Sequence, residues 1–156
     1  MIDRRINYII IGSSAAGISA LNTLARLDPT ASLLCISANN HMPYNTCFLI
    51  DVIAGIKSIE QILLRIMSKN VQFLLNTKVI AINRTKKSII TSDNSEILYQ
   101  KLIIATGVRP KIPLITGMQT PGVFQFHTLH DAVALRAWIQ TKKVQRAVIV
   151  GGGLTG

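Results

Sequence analysis

The chain has 156 residues, 49% of them apolar and 15% charged, with 17 Lys and Arg against 7 Asp and Glu for a formal net charge of +10. That length holds one domain or slightly more, and the apolar content excludes wholesale disorder. Every apolar run is broken by Gly, Ser, Asn or charge short of the ~18 residues that a membrane span needs, and the run from Ile6 to Ile11 is too short for the core of an export signal.

Ile6 to Ile11 is apolar and β-branched and ends at Gly12, the pattern of a buried parallel strand. After Gly12-Ser-Ser-Ala-Ala-Gly17 the period changes, and Ile18, Leu21, Leu24, Ala25 and Leu27 repeat at helical spacing until Asp28-Pro29. Ser32 to Ser37 is a second buried strand, completing a βαβ unit. Residues 38–47 are polar, contain Pro43 and read as a loop. Residues 48–68 read mainly as helix, with a break near Gly55 and an amphipathic segment from Ile59 to Met67. Val71 to Leu75 is a strand. Three short segments, Lys78 to Ile82, Ser88 to Thr91 and Glu96 to Tyr99, are separated by charged or Asn-Asp turns and predict a small antiparallel meander. Leu102 to Ala105 predicts a further buried strand, Leu129 to Thr141 a helix, and Ala147 to Val150 a last strand ending at Gly151. The fold class is therefore α/β, a Rossmann-like doubly wound parallel sheet with a small antiparallel meander.

The cations are scattered. The densest group, Arg84-Thr85-Lys86-Lys87, falls in an expected turn with no interleaved aromatics, which reads as a solvated turn and not as a nucleic-acid surface. Cys35 and Cys47, in a chain read as lacking an export signal, point to a reduced cytoplasmic setting and away from a structural disulfide. His41, His127 and His130 stand apart, and no His, Cys, Asp and Glu group has metal-ligand spacing.

Two stretches carry chemistry. Gly12-Ser-Ser-Ala-Ala-Gly17 has the spacing of the dinucleotide fingerprint, with Ser14 at the middle position. Gly12 allows the tight turn, a small residue at position 14 lets the backbone approach a pyrophosphate, and Gly17 lets helix and strand pack closely. The helix N-terminus adds unbonded N–H groups and partial positive charge. Val148-Ile-Val-Gly-Gly-Gly-Leu-Thr-Gly156 repeats the pattern in full, with Gly151, Gly153 and Gly156 at its three positions. Between them, Leu102-Ile-Ile-Ala-Thr-Gly107 is an apolar strand running into a small-residue turn. The acidic partner of a ribose is expected at the end of the second strand, but Ile36-Ser-Ala-Asn-Asn40 holds no carboxylate. Ser37 or Asn39 is left to meet a ribose hydroxyl without charge assistance.

Two fingerprints with a meander and Ala-Thr-Gly between them resemble the FAD-dependent pyridine-nucleotide oxidoreductases related to glutathione reductase. The resemblance covers essentially the whole chain. It implies an FAD-binding part over residues 1–122, and over 123–156 a connector helix with the first strand and Gly-rich turn of an NAD(P)-binding domain. It implies electron transfer from NAD(P)H through FAD to a disulfide, oxygen or a redox protein, with full-length relatives acting as homodimers. FAD would meet Gly12, Ser14, Ala15, Ala16 and Gly17 through its pyrophosphate, Ser37 or Asn39 at the ribose, and the Val79 backbone at the adenine. Thr46 and Cys47 would lie near the flavin, and Ala105, Thr106 and Gly107 along the far side.

The wording from Tyr44 to Gly55 is similar to two branches of the family. Coenzyme A-disulfide reductases and NADH oxidases carry a single redox cysteine where Cys47 stands, whereas nitrite-reductase-like and rubredoxin-reductase-like enzymes have none. In the first case Cys47 as a thiolate could attack a disulfide or hold a sulfenic acid; in the second it fills a small space. Ala15 stands where peroxidase-type relatives carry a histidine. The resemblance also implies segments not present among these residues, including the Gly-Asp stretch that closes the FAD domain. The expectations are an enzyme portion that binds FAD weakly and does not turn over NADH alone, or a remnant that keeps the fold without activity.

Overall fold

The computed structural model describes residues 5–111 and 114–152. It divides into two compact units, Met1–Asn45 with Leu63–Val108, and Thr46–Ile62 with Arg109–Gly156.

The first unit is built on strands β1 (Ile6–Ile11), β2 (Leu33–Ile36), β3 (Val71–Leu74), β4 (Val79–Asn83), β5 (Ser88–Thr91) and β6 (Glu96–Ile104), with helix α1 (Ala15–Leu27) between β1 and β2. Their order across the sheet is β3-β2-β1-β6-β5-β4. β1 runs parallel to β2 and β6, and β2 parallel to β3. The β4–β5 and β5–β6 pairs are antiparallel and form the predicted meander. Chain order moves outward from β1 to β3 and then returns to the other side of β1. The carboxyl ends of β1 and β6 therefore flank a topological switch point, where open α/β sheets bind ligands.

Both faces of β1 and β2 are covered, which explains their nearly unbroken apolar sequence. Ile10 and Cys35 pack with Ile18 and Leu21 of α1. Ile9, Ile11, Leu34 and Ile36 pack with Ile89 and Ile97 of the meander. Each fully covered side chain of this size contributes about 1.5–3 kcal/mol. Helix α1 ends where expected, with the Asp28 N–H bonded to the Leu24 carbonyl at 2.8 Å and Pro29 next.

Three expectations for elements need correction. The segments Glu96 to Tyr99 and Leu102 to Ala105 are one strand, β6, because Gln100 and Lys101 continue the pleat without a turn; β6 pairs with β5 at one end and with β1 at the other. Burial of its far end is incomplete: Ile104 is 62% exposed, since α1 is the one helix described in this unit and it covers β1 and β2. Second, residues 63–68 are not helical. Asn22 of α1 offers its side chain as a strand would, donating to the Arg65 carbonyl at 3.0 Å and accepting from the Met67 N–H at 2.9 Å. The Leu64 N–H reaches the Pro43 carbonyl, and Tyr44 bridges Leu63, so tertiary hydrogen bonds override the helical periodicity. Third, residues 147–150 form no strand. Val148 is 92% exposed and no described strand pairs with this segment, so its backbone groups have no ladder to join.

The second unit carries helices α2 (Leu49–Ala54) and α3 (Leu129–Lys142), with single 3-10 turns at Thr46–Phe48 and Glu60–Ile62. The helix expected over 48–68 is thus short. Gly55, at φ 76°, takes the left-handed conformation that ends α2, and the Ile56 N–H closes on the Asp51 carbonyl at 2.8 Å. The Val52 carbonyl accepts the Gly55 N–H at 3.2 Å, and the Arg136 guanidinium of α3 donates to the same oxygen at 3.2 Å, so α3 braces the end of α2. A capping box starts α3: Thr128 accepts from the Asp131 N–H and the Asp131 carboxylate accepts from the Thr128 N–H. The His127 N–H also donates to Asp131.

Candidate functional site

The site grows from the end of β1. Gly12 sits at φ 110°, where a side chain is strained, and a Cβ there would run into the Ala105 carbonyl. The ladder continues on both sides: the Gly12 N–H donates to the Ile36 carbonyl, and the Ala105 N–H donates to the Ile11 carbonyl, each at 2.8 Å. The turn leaving β1 is therefore pinned between the ends of β2 and β6. A Cβ at Gly17 would collide with the Gly12 carbonyl, so helix and strand touch backbone to backbone. The Cys35 thiol, 3.8 Å from the same Gly12 carbonyl, packs beneath the turn; burial pushes this thiol up to about 11.

Ser14 is the N-cap of α1, and its side chain makes no capping bond. The first bond of the helical ladder runs from the Ile18 N–H to the Ser14 carbonyl at 3.0 Å. The N–H groups of Ala15, Ala16 and Gly17 precede that ladder. Ser14, Ala15 and Ala16 are exposed, and no acidic residue occupies the first turn. An exposed helix N-terminus with small side chains and no carboxylate in its first turn fits a pyrophosphate.

The other wall is the end of β6: Ala105 half-buried, Thr106 and Gly107 exposed. At the end of β2, Ser37 is buried and Asn39 exposed. The Thr77 N–H donates to the Ser37 carbonyl at 2.8 Å, bringing the chain that leads into Val79 beside Ser37. Val79 is half-buried and pairs with Thr91, next to a bulge in β4. The first unit thus gathers Gly12, Ser14, Ala15, Ala16, Gly17, Ser37, Asn39, Val79 and Ala105–Gly107 around one end of its sheet.

Thr46 and Cys47 belong to the second unit. Both are exposed, in the 3-10 turn ahead of α2, and neither cysteine is in a disulfide. Gly151 lies at φ 117° in open space, while Gly153 and Gly156 fall outside the described residues. An open depression of about 700 Å³ is lined by Leu114 to Pro121 and has no ionisable side chain. No group of His, Cys, Asp and Glu among the described residues could hold a metal, and no described helix is long and apolar enough to cross a membrane.

Sequence reasoning passed over Ser13, which is buried and donates its hydroxyl to the Ser37 oxygen at 2.8 Å. The available signal is the βαβ unit itself, which brings the residues just beyond Ile11 and Ile36, a register pair, side by side.

Residues 6–156 match the family model described as pyridine nucleotide-disulphide oxidoreductase. The chain belongs to that family. It is 33% identical over 153 residues to the NADH-dependent phenylglyoxylate dehydrogenase subunit epsilon of Aromatoleum evansii, covering 96% of this chain and 36% of that one. The NADH:rubredoxin oxidoreductase of Clostridium acetobutylicum superposes with a TM-score of 0.75 at 26% identity, over 89% of this chain and 37% of that one. Putidaredoxin reductase, in its covalent complex with putidaredoxin, superposes with a TM-score of 0.76 at 26% identity, over 88% and 35%. The chain spans about a third of the length of these relatives.

Proposed function

We propose that this chain is the FAD-binding portion of an NAD(P)H-dependent flavoprotein oxidoreductase, passing electrons from NAD(P)H through FAD to a disulfide, oxygen or redox-protein acceptor. The observation that carries the reading is the Gly12–Gly17 turn, pinned at the β1/β6 switch point beneath an exposed helix N-terminus. In this reading the N–H groups of Ala15, Ala16 and Gly17 hold the pyrophosphate, Ser14 allows its close approach, and Asn39 meets the ribose. The Val79 backbone borders the adenine, and Ala105, Thr106 and Gly107 bound the cofactor's far side. Residues 1–122 make up the FAD-binding part, and 123–156 begin an NAD(P)-binding part in which Gly151, Gly153 and Gly156 serve the second dinucleotide. Bound FAD would supply the redox chemistry, and the chain its orientation.

Cys47 is the candidate redox thiol. In a longer protein that contains this chain, Cys47→Ser abolishes disulfide reduction if the thiol route operates; unchanged disulfide reduction would refute that role. We further propose a cytoplasmic protein, homodimeric at full length, with a small molecule or redox protein as electron acceptor and neither nucleic acid nor membrane as a partner. The 156-residue chain alone is expected to bind FAD weakly and not to oxidise NADH. Stoichiometric bound flavin with NADH turnover would overturn that expectation. Asn39, neutral where a carboxylate is expected, favours a second reading, a remnant that keeps the dinucleotide-binding fold without activity.

A further inference from the structure

The residues beyond β2 are held from both sides. Toward β1, the buried Ser13 hydroxyl donates to the Ser37 oxygen at 2.8 Å. The same oxygen accepts the Asn39 N–H at 3.2 Å. Toward β3, the Asn76 N–H donates to the Asn39 carbonyl and the Thr77 N–H to the Ser37 carbonyl, both at 2.8 Å. Ser13 and Ser37 are 9% and 4% exposed, so this hydroxyl pair works away from water. Asn39 has both backbone groups bonded and is exposed, three residues past the end of β2.

Serine at position 37 is a neutral, buried anchor that joins the phosphate-side turn, through Ser13, to the residue at the ribose side, Asn39. We propose that Ser13 and Ser37 are positioning residues for the adenosine half of the dinucleotide, and that the neutral side chain of Asn39, held in place by them, is the group that meets the ribose hydroxyls. The proposal rests on the FAD reading and adds the device by which a site without a carboxylate orders its ribose contact. Fixing Asn39 before binding removes part of the ordering cost that a mobile loop would add. Ser37→Ala strips the acceptor from two donors at once, one of them buried, and leaves Asn39 tethered only by Asn76.

The test is a thermodynamic cycle in FAD affinity on the full 156-residue chain, read by flavin fluorescence, with circular dichroism confirming the fold. Ser37→Ala is expected to weaken FAD binding about tenfold, the scale of one lost hydrogen bond of about 1.4 kcal/mol. Asn39→Ala in the native background weakens it severalfold, but in the Ser37→Ala background by less than about twofold, because Asn39 is no longer in place. Ser37→Thr, which keeps the hydroxyl, restores most of the affinity. A merely structural serine would instead give fold-changes that multiply, and that result overturns the proposal. Should Ser37→Ala not fold, the same cycle is run with Ser13→Ala and read by the same criterion. If the native chain binds no FAD up to about 100 μM, the FAD reading and this proposal fall together. If it binds FAD and the effects multiply, only the proposal falls.

Discussion

Gly12→Ala is the substitution for which the structure gives the largest worked cost. The residue lies at φ 110°, and a Cβ there points into the Ala105 carbonyl. The backbone penalty for an L side chain in that region is about 1–2 kcal/mol. Relieving the clash means parting the ends of β1 and β6, which endangers the bonds from Gly12 to Ile36 and from Ala105 to Ile11, about 1 kcal/mol each. The expected loss is therefore about 3 kcal/mol, a large fraction of the stability of a domain this size. Gly107→Ala is the control. Gly107 also has positive φ, 69°, but a Cβ there meets nothing within 4 Å, so only the backbone term applies, about 1 kcal/mol. The assay is urea unfolding followed by far-ultraviolet circular dichroism, which reads the strands of the first unit, whereas Trp138, the single tryptophan, lies in the second unit. If Gly12→Ala costs no more than Gly107→Ala, the close approach of β1 to β6 is not what requires a glycine at position 12.

Three further outcomes are expected. Asn22→Ala frees the 65–67 segment from α1, so limited trypsin digestion should cut after Arg65 severalfold faster; an unchanged rate would mean that Asn22 does not hold it. Burial raises the Cys35 thiol from 9.0 to about 11, so the folded state keeps a proton that the unfolded chain loses. That contribution to stability is full below pH 9 and is lost as pH rises toward about 11; the native and Cys35→Ala stability curves should converge over that window, and parallel curves would refute it. Thr128→Ala removes the acceptor that starts α3 and should cost about 1 kcal/mol in a urea titration followed by Trp138 fluorescence, with no measurable shift as the contrary result.

The parallel strands and α1 were legible because their signals are local: β-branched runs, a change of period after Gly12, and Asp28-Pro29 at the end. The same holds for Gly12 and Gly17, whose spacing reflects backbone contacts to Ala105 and Gly12. What failed was decided by distant partners. Ile59 to Met67 carries a helical period, yet Asn22 and Pro43 take its backbone bonds. Ala147 to Val150 has strand composition but no described neighbour, and composition cannot supply one. Ser13 escaped notice because its hydrogen-bond partner, Ser37, lies just past the end of the next strand, and nothing in the local sequence marks the pair.

Binding of the FAD pyrophosphate at the Gly12–Gly17 turn, as proposed above, is open to a direct test. It is tested most directly by titrating FAD into the native chain and into Gly17→Ala, with ADP as competitor. The expected result is weak, saturable binding, with a dissociation constant on the order of micromolar, that ADP displaces and Gly17→Ala abolishes. Absence of binding, or binding indifferent to both ADP and Gly17→Ala, would contradict it.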